Sequence, residues 1–290
     1  MKFILRALTM GALTFGLHAE LYAAESFVSA VLSYTPGTDP GATVGNFYSS
    51  PASVLGKPSA QNGTAPFVSA FTPFNPNYAA SDIVSIGAGG ELTLQLANYV
   101  LVDDAPGALE LGVWESVFLN GAPPNYDLPT NPATATGAGS AVVQVSADNV
   151  TWFSLNGGNR ITFTLPGNYY ANSTGAYDPA PASPVNAEFG KPFTGTLASF
   201  DGTTSYAQVL AVLGGSAGGT WLDVPASSGL TQIGYVRFSG VAADEKLDLD
   251  AVAINGARIG ASTPPIPEPG STALLAAAGL TLGARRLRRG

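Results

Sequence analysis

The segment Glu91-Leu92-Thr93-Leu94-Gln95-Leu96 alternates apolar and polar residues without a break. A period of two puts Leu92, Leu94 and Leu96 on one face of an extended strand. The same reading predicts strands at Phe27 to Tyr34, Ile83 to Ile86, Ala108 to Glu115, Ala141 to Ser146, Thr151 to Leu155 and Arg160 to Leu165. Further strands are predicted at Thr220 to Val224, Gln232 to Ser239 and Leu247 to Ile254. Between them the chain is punctuated by many of its 35 glycines and 22 prolines, which keeps each element short. No stretch of the body carries a sustained apolar period of 3.6. Short strands without helices predict an all-β fold, a two-sheet antiparallel β-sandwich of the jelly-roll kind. Within Gln232 to Phe238, plain alternation predicts Ile233, Tyr235 and Arg237 on one face and Gly234, Val236 and Phe238 on the other.

Three stretches read as long loops: Pro36 to Asn77, Asn120 to Gly139 and Tyr169 to Pro192. Loops of this length inside a domain are functional or disordered. They carry Phe67, Phe71, Phe74, Tyr78, Tyr126, Tyr169, Tyr170 and Tyr177. Such rings either stack on sugars or pin the loops to the sandwich. Gly214 to Gly219 lacks the lysine of a phosphate loop and reads as a hairpin or loop.

The two ends differ from the body. Lys2 and Arg6, an apolar run from Ala7 to Leu17, and Ala23-Ala24 follow the order of a secretory signal peptide, forming a helix over residues 1–24. The run is short for a membrane span. At the other end, Pro267-Glu268-Pro269 precedes an apolar run, Ala273 to Ala284, and the cluster Arg285, Arg286, Arg288 and Arg289. Prolines mark a polar–apolar boundary, and arginines hold a short hydrophobic helix on the cytoplasmic side. The domain plan is therefore a signal at 1–24, a β-sandwich at 25–256, a linker at 257–265 and a terminal segment at 266–290.

Composition narrows the chemistry. Between residues 25 and 264 there are six Lys and Arg against eighteen Asp and Glu, a formal charge of −12. That excludes nucleic acid as a partner, since phosphate binding needs basic patches. The chain has no cysteine, and its one histidine, His18, lies in the signal segment. Disulfides, thiolate or imidazole zinc sites, and Ser-His or Cys-His catalysis are thereby closed to the body. Carboxylates remain, and calcium is their natural counter-ion. Asp103, Asp104, Glu110 and Glu115 surround a turn and the following strand. They are candidate calcium ligands, or members of a solvated turn. Asp248 and Asp250 alternate with Leu247 and Leu249, which predicts both carboxylates on one face, bridged by a cation or solvated. No catalytic residue is assigned.

The terminal order Pro-Glu-Pro, apolar run, arginine cluster resembles the PEP-CTERM sorting signal. That resemblance implies an exosortase-like processing enzyme as partner and transient anchoring in the inner membrane. It also implies delivery to the cell surface or extracellular matrix, among exopolysaccharide. Several body segments are similar to a jelly-roll domain of such surface proteins, related to discoidin and galactose-binding domains. They include Ser53 to Pro58, Ser81 to Gly87, Val102 to Gly107 and Glu110 to Glu115. Val145-Ser146-Ala147-Asp148-Asn149-Val150-Thr151-Trp152 fits as well, with Asn149 where glycine is usual, as do Trp221 to Val224, Tyr235 to Phe238 and Leu247 to Val252. The resemblance implies a non-enzymatic exported surface or matrix protein. A glycan-binding module or, further off, a carbohydrate-active enzyme using paired carboxylates are the alternatives.

Overall fold

In a computed structural model, residues 24–41, 46–62, 68–103, 105, 107–124, 126–179 and 181–263 are described. The expected signal helix and the terminal segment with its hydrophobic helix lie outside them. No helix among the described residues is long and apolar enough to cross a membrane.

The chain forms an antiparallel β-sandwich. The strands are β1 (Val28–Thr35), β2 (Gln61–Asn62), β3 (Ser69–Ala70), β4 (Val84–Ile86), β5 (Glu91–Leu101), β6 (Leu111–Glu115), β7 (Phe118–Leu119) and β8 (Ala135–Thr136). They continue with β9 (Ser140–Ser146), β10 (Phe153–Ser154), β11 (Ile161–Thr162), β12 (Thr220–Leu222), β13 (Gln232–Ser239), β14 (Leu247–Ile254) and β15 (Ile259–Ser262). One sheet runs β1-β5-β13-β9-β10, with β11 against β9 and β15 against β5. The other runs β12-β6-β14-β4. Two small hairpin-like pairs, β2 with β3 and β7 with β8, stand apart. Along the chain β1, β4, β5, β6, β9, β12, β13, β14 and β15 belong alternately to the larger and the smaller sheet. Apart from β10 and β11, which stay with β9 in the larger sheet, successive sandwich strands thus lie in opposite sheets, as in a jelly roll.

Alternation delivers the first core. Leu92, Leu94 and Leu96 of β5 pack between the sheets with Val143 and Val145 of β9, Val113 of β6, and Val84 and Ile86 of β4. Two β-bulges then reset the period. In β13 the register against β5 shifts between Ile233 and Tyr235. Ile233, Val236 and Phe238 therefore share the core, while Tyr235 and Arg237 face away. This corrects the expected faces: an extra residue in one strand inverts the side-chain parity beyond it. In β14 the register against β6 shifts between Leu249 and Ala251. Leu247 and Leu249 point inward before the shift, Val252 and Ile254 after it. Asp250 sits at the bulge itself.

A second core lies on the other face of the smaller sheet. Trp114 of β6, Trp221 of β12, and Ala251 and Ala253 of β14 are covered by Phe71, Phe74, Phe189, Phe193 and Phe200. The smaller sheet is thus buried on both faces, Val113 in one core and Trp114 in the other. Trp114 is fully buried; its Nε1 donates to the Ala217 carbonyl at 2.9 Å, and its ring meets Trp221 edge-on at 5.8 Å. Gly219, at φ +77°, leaves the space this indole fills: a Cβ there would lie 2.8 Å from Trp114 Cε2.

The covering layer includes a helix that alternation did not predict. α1 (Tyr206–Leu213) buries Tyr206, Val209 and Leu213. The Ser205 hydroxyl caps it by accepting from Gln208 N, and Gly214 ends it in the left-handed region at φ +59°. The expected linker is also partly built in: β15 pairs with β5, and the short turn Gly256–Arg258 before it aims Arg258 back at the body. Asn149 adopts φ +61°, a conformation asparagine tolerates in place of glycine. Asp148 Oδ1 accepts from Val150 N and Thr151 N and holds that turn.

Candidate functional site

The carboxylates of the body fall into three settings. In the first, Glu110 is fully buried at the start of β6. Its oxygens accept from Val224 N at 2.9 Å and from Asp103 N at 3.3 Å. Burial raises its pKa above the ordinary value, against those two bonds. Arg258 reaches Asp103 at 2.5 Å and lies 3.9 Å from Glu110, an ion pair too long for a hydrogen bond. Asp103 is held below the usual carboxylate range, first by the bond from Ala105 N and then by Arg258. The expected calcium ligands Asp103 and Glu110 therefore share an arginine. Asp104 lies outside the described residues. Glu115 sits at the far end of β6 and joins neither.

In the second setting, buried Glu115 accepts from Gly139 N at 2.9 Å and from Asp248 N at 3.4 Å. Its carboxylate thereby ties β6 to β14 and to the entry of β9. Burial pushes its pKa well up, the two backbone bonds opposing. Asp248 is bound by Lys246 at 2.5 Å and by the Ser85 hydroxyl at 2.5 Å. Burial still raises its pKa. An acidic cleft of about 360 Å³ opens beside it, lined by Thr136, Gly137, Ala138, Asp244, Glu245, Lys246 and Asp248.

In the third, Asp250 is 3% exposed and takes different partners from Asp248. Asn77 Nδ2 donates to its Oδ2 at 3.0 Å. Burial pushes Asp250 up to about 8, the Asn77 bond opposing and the charge of Asp82 adding to the rise. The expected Asp248–Asp250 pair does not form as a unit, because the bulge at Asp250 breaks the alternation that would have aligned them. Asn77 and Asp82 escaped the sequence reading; they lie more than 160 positions from Asp250, and only the fold brings them together. Among the described residues no group of three or more His, Cys, Asp or Glu side chains could hold a metal.

The loop aromatics divide. Phe71 and Phe74 are buried in the second core, where they pin their loop. Tyr78, Tyr126 and Tyr177 are exposed, and Phe67 lies outside the described residues. Tyr169 and Tyr170 meet edge-on at 4.9 Å, and Tyr169 meets Phe189 at 5.5 Å. Lys57 Nζ lies 5.1 Å from the Tyr169 ring centre and 4.8 Å from that of Phe189, and pairs with Glu25 at 2.9 Å. Beside them is a cleft of about 500 Å³, lined by Glu25, Lys57, Pro184, Val185, Asn186, Ala187 and Glu188. Glu25 also accepts from Phe189 N at 3.0 Å. The cleft offers apolar surface, one cation and two carboxylates. That mix suits binding; each carboxylate in the first two settings is engaged with backbone amides or a basic side chain.

The described body defines an all-β sandwich protein. No protein-family model matches the chain, and no curated protein matches it. The sorting residues Pro267, Glu268, Pro269, Arg285, Arg286, Arg288 and Arg289 lie outside the described residues.

Proposed function

We propose that this is a non-enzymatic exported protein of the cell surface or extracellular matrix, sorted through its PEP-CTERM-type end and associated with exopolysaccharide. One observation carries the reading. The sandwich is closed by β15, which ends at Ser262, and Pro267-Glu268-Pro269 begins five residues later. The segment with the sorting pattern thus begins just beyond the last strand of the described body. In this account an N-terminal signal directs export across the inner membrane. The apolar run holds the chain there until an exosortase-like enzyme acts at the terminal segment. The buried carboxylates serve the fold: Glu110 and Glu115 each bind two backbone amides. Glycoside hydrolysis would ask for two carboxylates facing one substrate.

Fractionation of exporting cells tests this. The native chain is expected in the surface or matrix fraction. A chain with Pro267, Glu268 and Pro269 all changed to Ala is expected in the inner-membrane fraction. Equal distribution of the two would remove the sorting role.

A second reading has its own support. The cleft beside Tyr169, Tyr170 and Lys57 combines apolar surface with a few polar groups, the pattern of small-ligand sites. A glycan array probed with the native chain and with Tyr170→Ala addresses it. Selective binding that the substitution weakens would make the matrix protein a glycan-binding module.

A further inference from the structure

Asp82 and Asp250 are two buried acids that one neutral chain of contacts connects: Ser59 binds Asp82 through its hydroxyl and Asn77 through its carbonyl, and Asn77 binds Asp250. Asp82 is 9% exposed and Asp250 3%. Among the described residues neither takes part in any ion pair. Their contacts are neutral: the Ser59 and Ser81 hydroxyls donate to Asp82 Oδ1 at 3.0 and 2.9 Å, and Asn77 donates to Asp250. Buried like charges repel unless one is neutralised or a cation lies between them.

A separate observation points the same way. Asn77 is 1% exposed, and its Oδ1 has no hydrogen-bond partner. The other end of that carboxamide, Nδ2, sits between Asp250 Oδ2 at 3.0 Å and the Ser59 carbonyl at 3.1 Å. The amide nitrogen is therefore the one positive group among several oxygens. A half-turn of the carboxamide would bring the orphaned oxygen to that place. Asp250 Oδ2, Ser59 O and Asn77 Oδ1 would then converge, and with Asp250 ionised it takes a cation to make such an arrangement favourable.

We propose that Asp82, Asp250 and Asn77 form a calcium site, with the Ser59 carbonyl and water completing the oxygen shell. The donor set selects the ion: carboxylates, an amide oxygen and a backbone carbonyl suit a hard cation, and their origin in loops and a bulge suits the flexible shell of calcium. The β14 bulge gives the site its place, because it turns the Asp250 side chain out of the plain alternation. The site joins the segment after β1, the approach to β4 and the centre of β14. Loading it would therefore brace the smaller sheet against its covering loops.

The test uses the full chain, stripped with chelator and then titrated with calcium chloride. Calorimetry is expected to show one site. Calcium at about a hundred times Kd is expected to raise Tm by about 5–10 °C. Asp250→Asn and Asp82→Asn are each expected to abolish the shift or weaken binding at least tenfold, while Asp244→Asn in the acidic cleft leaves both unchanged. Should Asp250→Asn fail to fold, Asp82→Asn decides. Equal Tm in calcium and in chelator would overturn the proposal. So would a shift that survives both substitutions, or one lost in Asp244→Asn instead.

Discussion

Trp114→Ala should destabilise the whole body, not merely its covering layer. Trp114 is fully buried, touches Phe189 at 5.1 Å and Trp221 at 5.8 Å, and donates to Ala217 O. Removing a buried tryptophan costs about 3–5 kcal/mol in lost burial and cavity. Leaving the Ala217 carbonyl without its donor adds about 1 kcal/mol or more. A total of about 4–6 kcal/mol is a large share of the 5–15 kcal/mol typical of a domain. It corresponds to a fall in Tm of about 10–20 °C. Trp114→Phe keeps most of the ring and should cost about 2–3 kcal/mol. The two cores share one sheet, since Val113 and Trp114 are neighbours on β6 facing opposite ways. Loss of the outer core should therefore bring down the inner one in a single transition. Urea unfolding followed by far-UV circular dichroism and by fluorescence checks this. Coincident curves at lower urea are expected. A Trp114→Ala chain that sheds its outer layer while keeping native strand signal, in two separated transitions, would refute the shared-sheet reasoning.

Two further predictions concern buried charge. Glu115 has a pKa raised by burial in the folded state. Its contribution to stability is therefore full below the unfolded pKa near 4.5 and is lost as pH rises toward the folded value. Across that window each pH unit removes up to about 1.4 kcal/mol. Nearby Asp248 strengthens the effect and Lys246 opposes it. Glu115→Gln should flatten the fall in stability as pH rises above the unfolded pKa near 4.5, measured by urea midpoints; an unchanged slope would show that the charge on Glu115 is not penalised. Arg258→Met should destabilise by about 2–3 kcal/mol, because it leaves fully buried Glu110 without its nearest cation. The double variant Arg258→Met, Glu110→Gln should recover part of that loss, and a calorimetric cycle showing no recovery would sever the link.

Strand positions were legible where patterning is local. The alternation over Gln232–Ser239 and Leu247–Ile254 has the same bounds as the strands in the fold. The faces were not, because a bulge is set by cross-strand register, which no single strand reveals. Of the two roles open to the loop aromatics, Phe71 and Phe74 take that of pinning their loop: with Phe189 they need the outer face of the smaller sheet to hide against, and that face exists only after folding. Helix α1 left a readable trace, Ser205 before it and Gly214 after it, but eight residues are too few to display a sustained period. At the candidate cation site, Asp250 was visible as an acid among apolar residues. Asn77 and Asp82 were not, because nothing local separates them from ordinary loop residues.

The central claim, an exported chain trimmed for the surface, is tested most directly by the intact mass of the native protein recovered from outside the cells. The account predicts a species that starts near Glu25 and has lost the apolar run from Ala273 to Ala284. A species carrying all 290 residues, or one confined to the cytoplasm, would contradict it.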